Sequence, residues 1–219
     1  MIKVLPSTNP EKEEDLIKYA RSLEDLGVEY LHCDVMDGVF VENKCLSVDT
    51  IKLIRNNSNI LLDVHLMVNN PLAVIDKYLV LKPSIITVHL ESVKDATQIH
   101  TLSKLIRSKD ILFGISIKPA TPISQLEQFV DDMDLILIMS VEPGKSGQKF
   151  IESSISKIEE AKKLCNDRDI IIEVDGGINK DNAKLIIKAG AKFLVMGSAF
   201  YKAKEKSLLL HAIDSHYKA

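Results

Sequence analysis

The sequence predicts an α/β fold of the TIM-barrel type, a single (β/α)8 domain over residues 1–219. Short runs rich in Val, Ile and Leu alternate with charged, amphipathic segments, and there are eight such runs. Strands that alternate with helices form a parallel sheet, and eight strands in a chain of this length favour a closed barrel over an open doubly wound sheet. No linker or shift of composition divides the chain.

The eight strands are placed by their apolar runs. They are predicted at Ile2–Leu5, Tyr30–Asp34, Leu61–Met67, Ile85–His89, Ile111–Ile117, Leu135–Met139, Ile170–Asp175 and Phe193–Met196. Apolar residues recur every three or four positions in the segments between them, as in amphipathic helices. Examples are Glu11–Leu26, Ser154–Cys165 and Asp181–Ala189.

Composition narrows the class of protein. The formal net charge is −3, so no global basic field would attract nucleic acid or an anionic membrane. The apolar runs are too short to span a bilayer, and the N-terminus lacks the pattern of a signal peptide. Three cysteines, Cys33, Cys45 and Cys165, show no C-x-x-C spacing, which fits a reducing compartment. We therefore expect a cytoplasmic protein without a nucleic-acid or membrane partner.

Polar residues occur at the ends of three predicted strands, where barrel enzymes place their chemistry. Side chains alternate across a strand, so His32, Asp34 and Met36 share one face of the second strand. By the same rule Asp63, His65 and Met67 share a face of the third strand. Glu173 and Asp175 share a face of the seventh. The alternation thus directs two imidazoles and several carboxylates into the barrel mouth.

Such a set suits a divalent metal ion. Two histidines and two aspartates form a plausible four-ligand site for Zn²⁺, Fe²⁺, Mn²⁺ or Co²⁺. A single His or Asp on a strand is more often a satisfied structural residue. Several such residues at three strand ends favour a functional site. Burying a carboxylate without a partner costs several kcal/mol of folding free energy, and a bound metal ion would offset this cost.

Glycine-rich segments follow the late strands and suggest a phosphate site. Glycine lets the backbone approach a ligand and expose its N–H groups, and barrel phosphate sites are often built after strands seven and eight. A tight turn is the alternative interpretation of each glycine. The residues concerned are Gly144, Lys145, Ser146, Gly147, Gly176, Gly177, Gly197 and Ser198.

Met36, Met67 and Met139 fall at the C-terminal ends of strands. Core filling is their ordinary interpretation, and a water-excluding floor under the reacting carbons is the functional one. We assign no role to His89, and we expect the remaining histidines, His100, His211 and His216, on the surface.

Several segments together resemble the ribulose-phosphate 3-epimerase family, and the resemblance runs over nearly the whole chain. The motifs at the ends of the second, third and seventh strands are the most specific part of it. The matching segments are Pro6-Ser7, His32–Val41, Asp63–Met67, Met139–Gly144, Gly147–Ile151, Glu173–Gly177 and Gly197–Ala199.

The resemblance implies interconversion of D-ribulose 5-phosphate and D-xylulose 5-phosphate through an enediolate stabilised by one divalent ion, with Zn²⁺ the first candidate. It implies metal ligands at His32, Asp34, His65 and Asp175, with Asp34 and Asp175 also the catalytic acid and base. A sugar phosphate is the implied partner, and self-association is common in the family. The implied substrate-binding residues are Ser7, His65, Met36, Met67, Met139 and the glycine-rich residues named above.

The sequence also departs from the family, which usually has Phe-Gly at Lys145-Ser146 and Pro at Glu42. Three alternatives stay open, and Lys145 and the altered loop after Phe40 motivate the first of them. A related ketose phosphate such as D-allulose 6-phosphate is the first, and an inactive sugar-phosphate-binding paralogue is the second. A phosphate-binding decarboxylase or aldolase is the third, with Lys118 as the one tempting Schiff-base lysine.

Overall fold

Nine strands form one curled sheet in the computed structural model, which describes residues 2–8 and 12–218. They are β1 (Lys3–Pro6), β2 (Tyr30–Asp37), β3 (Lys44–Cys45), β4 (Leu61–Met67), β5 (Ile85–His89), β6 (Leu112–Ile117), β7 (Leu135–Met139), β8 (Ile171–Asp175) and β9 (Phe193–Met196). Every pairing is parallel except that of β3 with the end of β2.

Helices follow the strands. Within the described ranges they are α1 (Leu16–Asp25), α2 (Val48–Asn57), α3 (Pro71–Val74), α4 (Asp76–Leu79), α5 (Ala96–Arg107), α6 (Ser154–Cys165), α7 (Ala183–Ala189), α8 (Ser198–Lys202) and α9 (Lys206–Lys218). Short 3₁₀ helices lie at Glu13–Asp15, Leu90–Ser92 and Ile123–Phe129.

The sheet closes on itself between β1 and β2. Its strand order is β1-β9-β8-β7-β6-β5-β4-β2-β3. Ser7 forms a parallel bridge with His32, and the Thr8 backbone N–H donates to the His32 carbonyl at 2.9 Å. The eight parallel strands therefore enclose a barrel, and the predicted fold class is confirmed.

Strand positions agree closely with the prediction, and the differences have local causes. β2 runs on to Asp37 because its pairing with β4 continues to Met36 and β3 pairs with its last residues. α7 begins at Ala183 because a turn precedes it. In this turn the Asn179 side chain accepts from the backbone N–H groups of Asp181 and Asn182, and the Asn182 side chain accepts from that of Asn179. α1 begins at Leu16 after a 3₁₀ turn, and Glu11 lies outside the described residues.

Alternation along the strands builds two apolar layers. Leu31, Cys33 and Val35 face outward, where the buried faces of the helices cover them. Leu5 and Val195 face inward and help to fill the barrel. Each buried aliphatic side chain contributes about 1.5–3 kcal/mol relative to exposure, so both layers stabilise the closed sheet. Closure fixes which residues point to the barrel axis.

Part of the barrel interior is polar. Polar side chains of β2, β4, β5, β6 and β8 lie there without solvent exposure, at a cost unless they find partners. They are His32, Asp63, His65, Thr87, His89, Ser116 and Glu173. This polar part of the interior lies beneath the carboxyl ends of the strands.

Two further observations concern the chain as a whole. The three cysteines are free, with Cys33 and Cys165 buried and Cys45 partly buried. Within the residues that the structure describes, none of the helices combines the length and the apolar character needed to cross a bilayer.

Candidate active site

Three strands bring four potential metal ligands to one point. β2 supplies His32 and Asp34, β4 supplies His65, and β8 supplies Asp175. One ligand atom from each residue lies within 4.8 Å of the others. Asp34 Oδ1 is 3.4 Å from His32 Nε2 and 3.5 Å from His65 Nδ1. We call these four residues the His/Asp cluster.

The His/Asp cluster fits a divalent cation. His32 Nε2 and His65 Nδ1 are buried and have no hydrogen-bond partner among the described residues. Both nitrogens face Asp34 Oδ1, so a cation there would satisfy both. Two imidazole nitrogens and two carboxylates are a donor set that Zn²⁺ and other first-row divalent ions accept. These residues could therefore hold a metal ion.

Buried carboxylates hold the His32 ring in place. Its Nδ1 lies 2.5 Å from Asp63 Oδ2 and 3.6 Å from Glu173 Oε1. A carboxylate behind a ligating histidine fixes its tautomer and ring orientation, which leaves Nε2 directed at the cluster. Strand alternation had placed Asp63 and Glu173 on the inward face, but it gave them no role.

Further polar contacts position Asp34 and His65. The Ser7 hydroxyl donates to Asp34 Oδ2 at 2.5 Å. On the far side of His65, Nε2 lies 2.9 Å from Nε2 of His89. The His89 ring continues to Glu91, with 3.3 Å between Nδ1 and Oε2. Sequence reasoning had assigned His89 no role, although it ends β5 beside the strand that carries His65.

The two carboxylates of the cluster have opposite pKa shifts. Burial by itself raises the pKa of Asp34, but the charge of His32, together with the facing His65 ring, holds that pKa well below its usual value. Burial and the charge of Asp34 raise the pKa of Asp175 to about 7. Near neutral pH, Asp34 is ionised while Asp175 retains a proton in part of the population. A bound cation would lower both pKa values.

The surrounding interior is electrostatically coupled. Burial lowers the pKa of His32, but the carboxylates of Asp63 and Asp34 outweigh it and raise that pKa well above its usual value. Burial and the charge of Asp63 raise the pKa of Glu173 well above its ordinary range. The shift favours the protonated form of Glu173 beside Asp63. Burial lowers the pKa of His89 to about 4, which keeps this ring neutral.

A pocket opens above the His/Asp cluster. It includes all the predicted substrate-binding residues except His65, which is fully buried below the pocket floor. Gln148, Asn179 and Lys202 also line it. Gln148 belongs to the matching segment Gly147–Ile151 but was assigned no role, and Asn179 and Lys202 lie in segments that carry no pattern of their own. The predicted residues that line the pocket are Ser7, Asp34, Met36, Met67, Met139, Gly144, Lys145, Ser146, Gly147, Asp175, Gly176, Gly177, Gly197 and Ser198.

The loop after β8 needs its glycines. Gly177 has φ +66°, and a Cβ there would lie 2.3 Å from the backbone nitrogen of Phe150. The Ser140 hydroxyl lies 2.7 Å from the Gly176 carbonyl and donates to it, which holds the same loop. The glycine therefore permits both the left-handed backbone and its close approach to the loop after β7.

Two loops meet across the pocket mouth. Lys145 Nζ lies 3.3 Å from Glu42 Oε2, and Asn43 Nδ2 donates to the Gly144 carbonyl at 2.7 Å. Lys145 and Glu42, which both depart from the family pattern, thus form an ion pair with each other. Lys118 lies elsewhere, with its Nζ 4.1 Å from the centre of the Phe40 ring, and it does not line the pocket above the cluster.

These features define a class: a closed (β/α)8 barrel enzyme with a metal-competent cluster at the carboxyl ends of its strands. The chain belongs to the Ribulose-phosphate 3 epimerase family, whose model matches residues 3–201. Ribulose-phosphate 3-epimerase of Bacillus subtilis is 37% identical over 97% of this chain and 98% of its own length. The enzyme of the same name from Aquifex aeolicus is 37% identical over 86% of this chain and 88% of its own length.

Solved structures share the fold at low sequence identity. 3-Keto-L-gulonate-6-phosphate decarboxylase from Vibrio cholerae superposes with a TM-score of 0.75 at 13% identity, covering 99% of this chain and 97% of its own. A 3-hexulose-6-phosphate synthase superposes with a TM-score of 0.71 at 13% identity, covering 98% and 99%. These likenesses concern the barrel alone.

We predict that Gly177→Ala destabilises the protein more than Gly27→Ala. Both glycines have positive φ, but a Cβ at Gly27 meets nothing within 4 Å. The control should lose about 1 kcal/mol of unfolding free energy from backbone strain. Gly177→Ala should lose about 1–3 kcal/mol more, because the Phe150 backbone must move. Urea unfolding of both variants measures this, and equal losses would contradict it.

Proposed function

We propose that this chain catalyses the metal-dependent 3-epimerisation of a ketose phosphate, interconverting D-ribulose 5-phosphate and D-xylulose 5-phosphate. One observation carries the proposal: two carboxylates with opposite pKa shifts meet two buried histidines at the floor of a pocket with glycine-rich walls. Membership of the family and the names of the relatives support the choice of reaction and substrate.

The reaction needs two groups that handle one proton each. Inverting C3 of a 2-ketose requires that a proton leave one face and that another arrive on the opposite face. β9 and β1 separate β8 from β2 around the barrel, so Asp175 and Asp34 reach the centre from different strands. A planar intermediate between them would present one face to each carboxylate.

The electrostatics prepare this pair for opposite roles. Asp34, held ionised by His32 and His65, accepts the C3 proton from one epimer. Asp175, which has the higher pKa of the two carboxyl groups, donates to the other face. The roles exchange in the reverse direction. The Ser7 hydroxyl, which donates to Asp34 Oδ2, keeps that carboxylate oriented toward the pocket.

The charge that develops on O2 during proton removal must be stabilised. A divalent ion held by His32, Asp34, His65 and Asp175 would supply this as a Lewis acid. Met36, Met67 and Met139 are nearly fully buried and also line the pocket. Their apolar side chains exclude water from the floor, which strengthens every electrostatic interaction there.

The walls of the pocket suit the phosphate end of the substrate. The loops of Gly144–Gly147, Gly176-Gly177 and Gly197-Ser198 place backbone groups close to the cavity. Lys145 and Lys202 add two positive charges to the same walls. A dianionic phosphate bound there would extend the sugar carbons toward the His/Asp cluster.

We predict that Asp34→Asn and Asp175→Asn each lower kcat by about 10²–10⁴-fold, because an amide cannot exchange the proton. Deuterium from solvent should enter C3 of D-ribulose 5-phosphate with the unaltered protein, and this incorporation should slow in parallel with kcat. Asp167→Asn, at an exposed carboxylate after α6, is the matched control. Near-normal turnover in either site variant with retained fold would remove that residue from the mechanism, and absence of exchange would exclude an active epimerase.

We predict that Lys145→Ala raises KM with little change in kcat. An exposed ion pair contributes at most about 1 kcal/mol, which corresponds to roughly a 5-fold change in KM. Lys149→Ala is the control, because Lys149 is exposed on the same loop but does not line the pocket. KM of both variants is to be measured with D-ribulose 5-phosphate and with D-allulose 6-phosphate. Equal KM values in the two variants would exclude Lys145 from phosphate binding.

The same assays compare the two sugars. A kcat/KM that is higher on D-allulose 6-phosphate than on D-ribulose 5-phosphate would reassign the substrate.

A further inference from the structure

A chain of contacting side chains runs from the His/Asp cluster through two buried imidazoles to the loop after β6. His65 contacts His89 through their Nε2 atoms at 2.9 Å, and His89 Nδ1 lies 3.3 Å from Glu91 Oε2. Both rings are without solvent exposure. The His89 ring packs between the His65 ring, with 4.9 Å between centroids, and the Phe40 ring, with 4.8 Å. The mechanism proposed above uses neither His89 nor Glu91.

The outer end of this chain has a fixed hydrogen-bond direction. Glu91 Oε1 lies 2.7 Å from the backbone nitrogen of Lys118, which can only donate, and it also accepts from the Thr121 hydroxyl. Burial by itself raises the pKa of Glu91, but its hydrogen bonds from His89, Thr121 and Lys118 outweigh it and lower the pKa to about 2. An ionised carboxylate only accepts hydrogen bonds. Glu91 therefore requires a donor at Nδ1 of His89.

The donor at His89 Nδ1 in turn fixes which nitrogen of each imidazole carries the proton. A neutral imidazole carries one N–H, so His89 with its proton on Nδ1 presents a bare Nε2. That nitrogen accepts from His65, whose proton must then lie on Nε2. His65 Nδ1 is left with its lone pair directed at Asp34 Oδ1, 3.5 Å away, where a cation would lie. The opposite tautomers would set the His89 Nδ1 lone pair against Glu91 Oε2. Asp34 does not need the His65 proton, because Ser7 donates to its Oδ2 and His32 Nε2 lies 3.4 Å from its Oδ1.

We propose that Glu91 and His89 are positioning residues, which fix His65 in the tautomer that presents the Nδ1 lone pair to the His/Asp cluster. The inference about ligand affinity rests on the proposed metal site, but the tautomer itself does not. His32 Nδ1 contacts a carboxylate directly, with 2.5 Å to Asp63 Oδ2. His65 reaches its carboxylate through a second imidazole.

Long-range ¹H–¹⁵N correlation spectra of the metal-free protein test the tautomer directly. We expect His65 with a protonated Nε2 and an unprotonated Nδ1, and His89 with the reverse. Glu91→Gln should shift the His65 ring toward a mixture of tautomers, because an amide can also donate. A His65 ring protonated on Nδ1 in the unaltered protein would overturn the proposal, and so would a ring indifferent to Glu91→Gln.

Metal binding supplies the second readout. Glu91→Gln and His89→Phe should weaken Zn²⁺ affinity about 10- to 100-fold, as removal of a partner behind a ligating histidine does. Saturating Zn²⁺ should restore most of kcat in Glu91→Gln. His100→Gln is the control, because His100 also pairs with a carboxylate, Asp132 at 2.9 Å, but on the helical surface. Unchanged Zn²⁺ affinity in both variants would overturn the proposal.

The two readouts separate this inference from the proposed function. If the unaltered protein bound no divalent ion, the proposed function would fail, and the spectra of the metal-free protein would still decide the tautomer. If it bound Zn²⁺ while the His65 tautomer ignored Glu91, the inference alone would fail.

Discussion

Two buried imidazoles with their free nitrogens aimed at one point are the constraint on which the rest of the site depends. His32 Nε2 and His65 Nδ1 have no hydrogen-bond partner among the described residues, although both rings are fully buried. Leaving a buried polar atom unsatisfied costs about 1–3 kcal/mol. The two nitrogens stay unsatisfied because the other nitrogen of each ring has a partner, Asp63 for His32 and His89 for His65, and these partners hold both rings in place.

The same arrangement governs the carboxylates. Asp34 lies between the two rings, which favour its ionised form, and its charge then raises the pKa of Asp175. Opposite protonation tendencies in two neighbouring aspartates are what a two-face proton transfer needs. Barrel closure between β1 and β2 stabilises the positions of His32 and Asp34. Ser7 forms a β-bridge with His32, and its hydroxyl donates to Asp34.

Strand periodicity was enough to predict the barrel and the inward direction of the polar residues. His32, Asp34 and Asp175 could be placed because a parallel barrel converts alternation within one strand into convergence among several. β3 could not, because two residues carry no period, and its pairing with β2 depends on tertiary contact. The length of β2 was underestimated for the same reason.

Contacts between distant segments could not be predicted from the sequence either. The link from His65 through His89 to Glu91 depends on the register of β4 against β5, and one residue of slip would turn the rings apart. The pairing of Lys145 with Glu42 joins positions 103 residues apart. Loop conformation decides it, and neither residue predicts the other.

Metal binding measured together with turnover tests whether the His/Asp cluster holds a catalytic ion. The metal-free protein would be titrated with Zn²⁺ against a chromophoric chelator, with turnover of D-ribulose 5-phosphate followed in the same samples. The account predicts one tight site per chain, activity that rises with its occupancy, and loss of both in His32→Gln and His65→Gln. Full turnover in the metal-free protein, or a site indifferent to both substitutions, would contradict it.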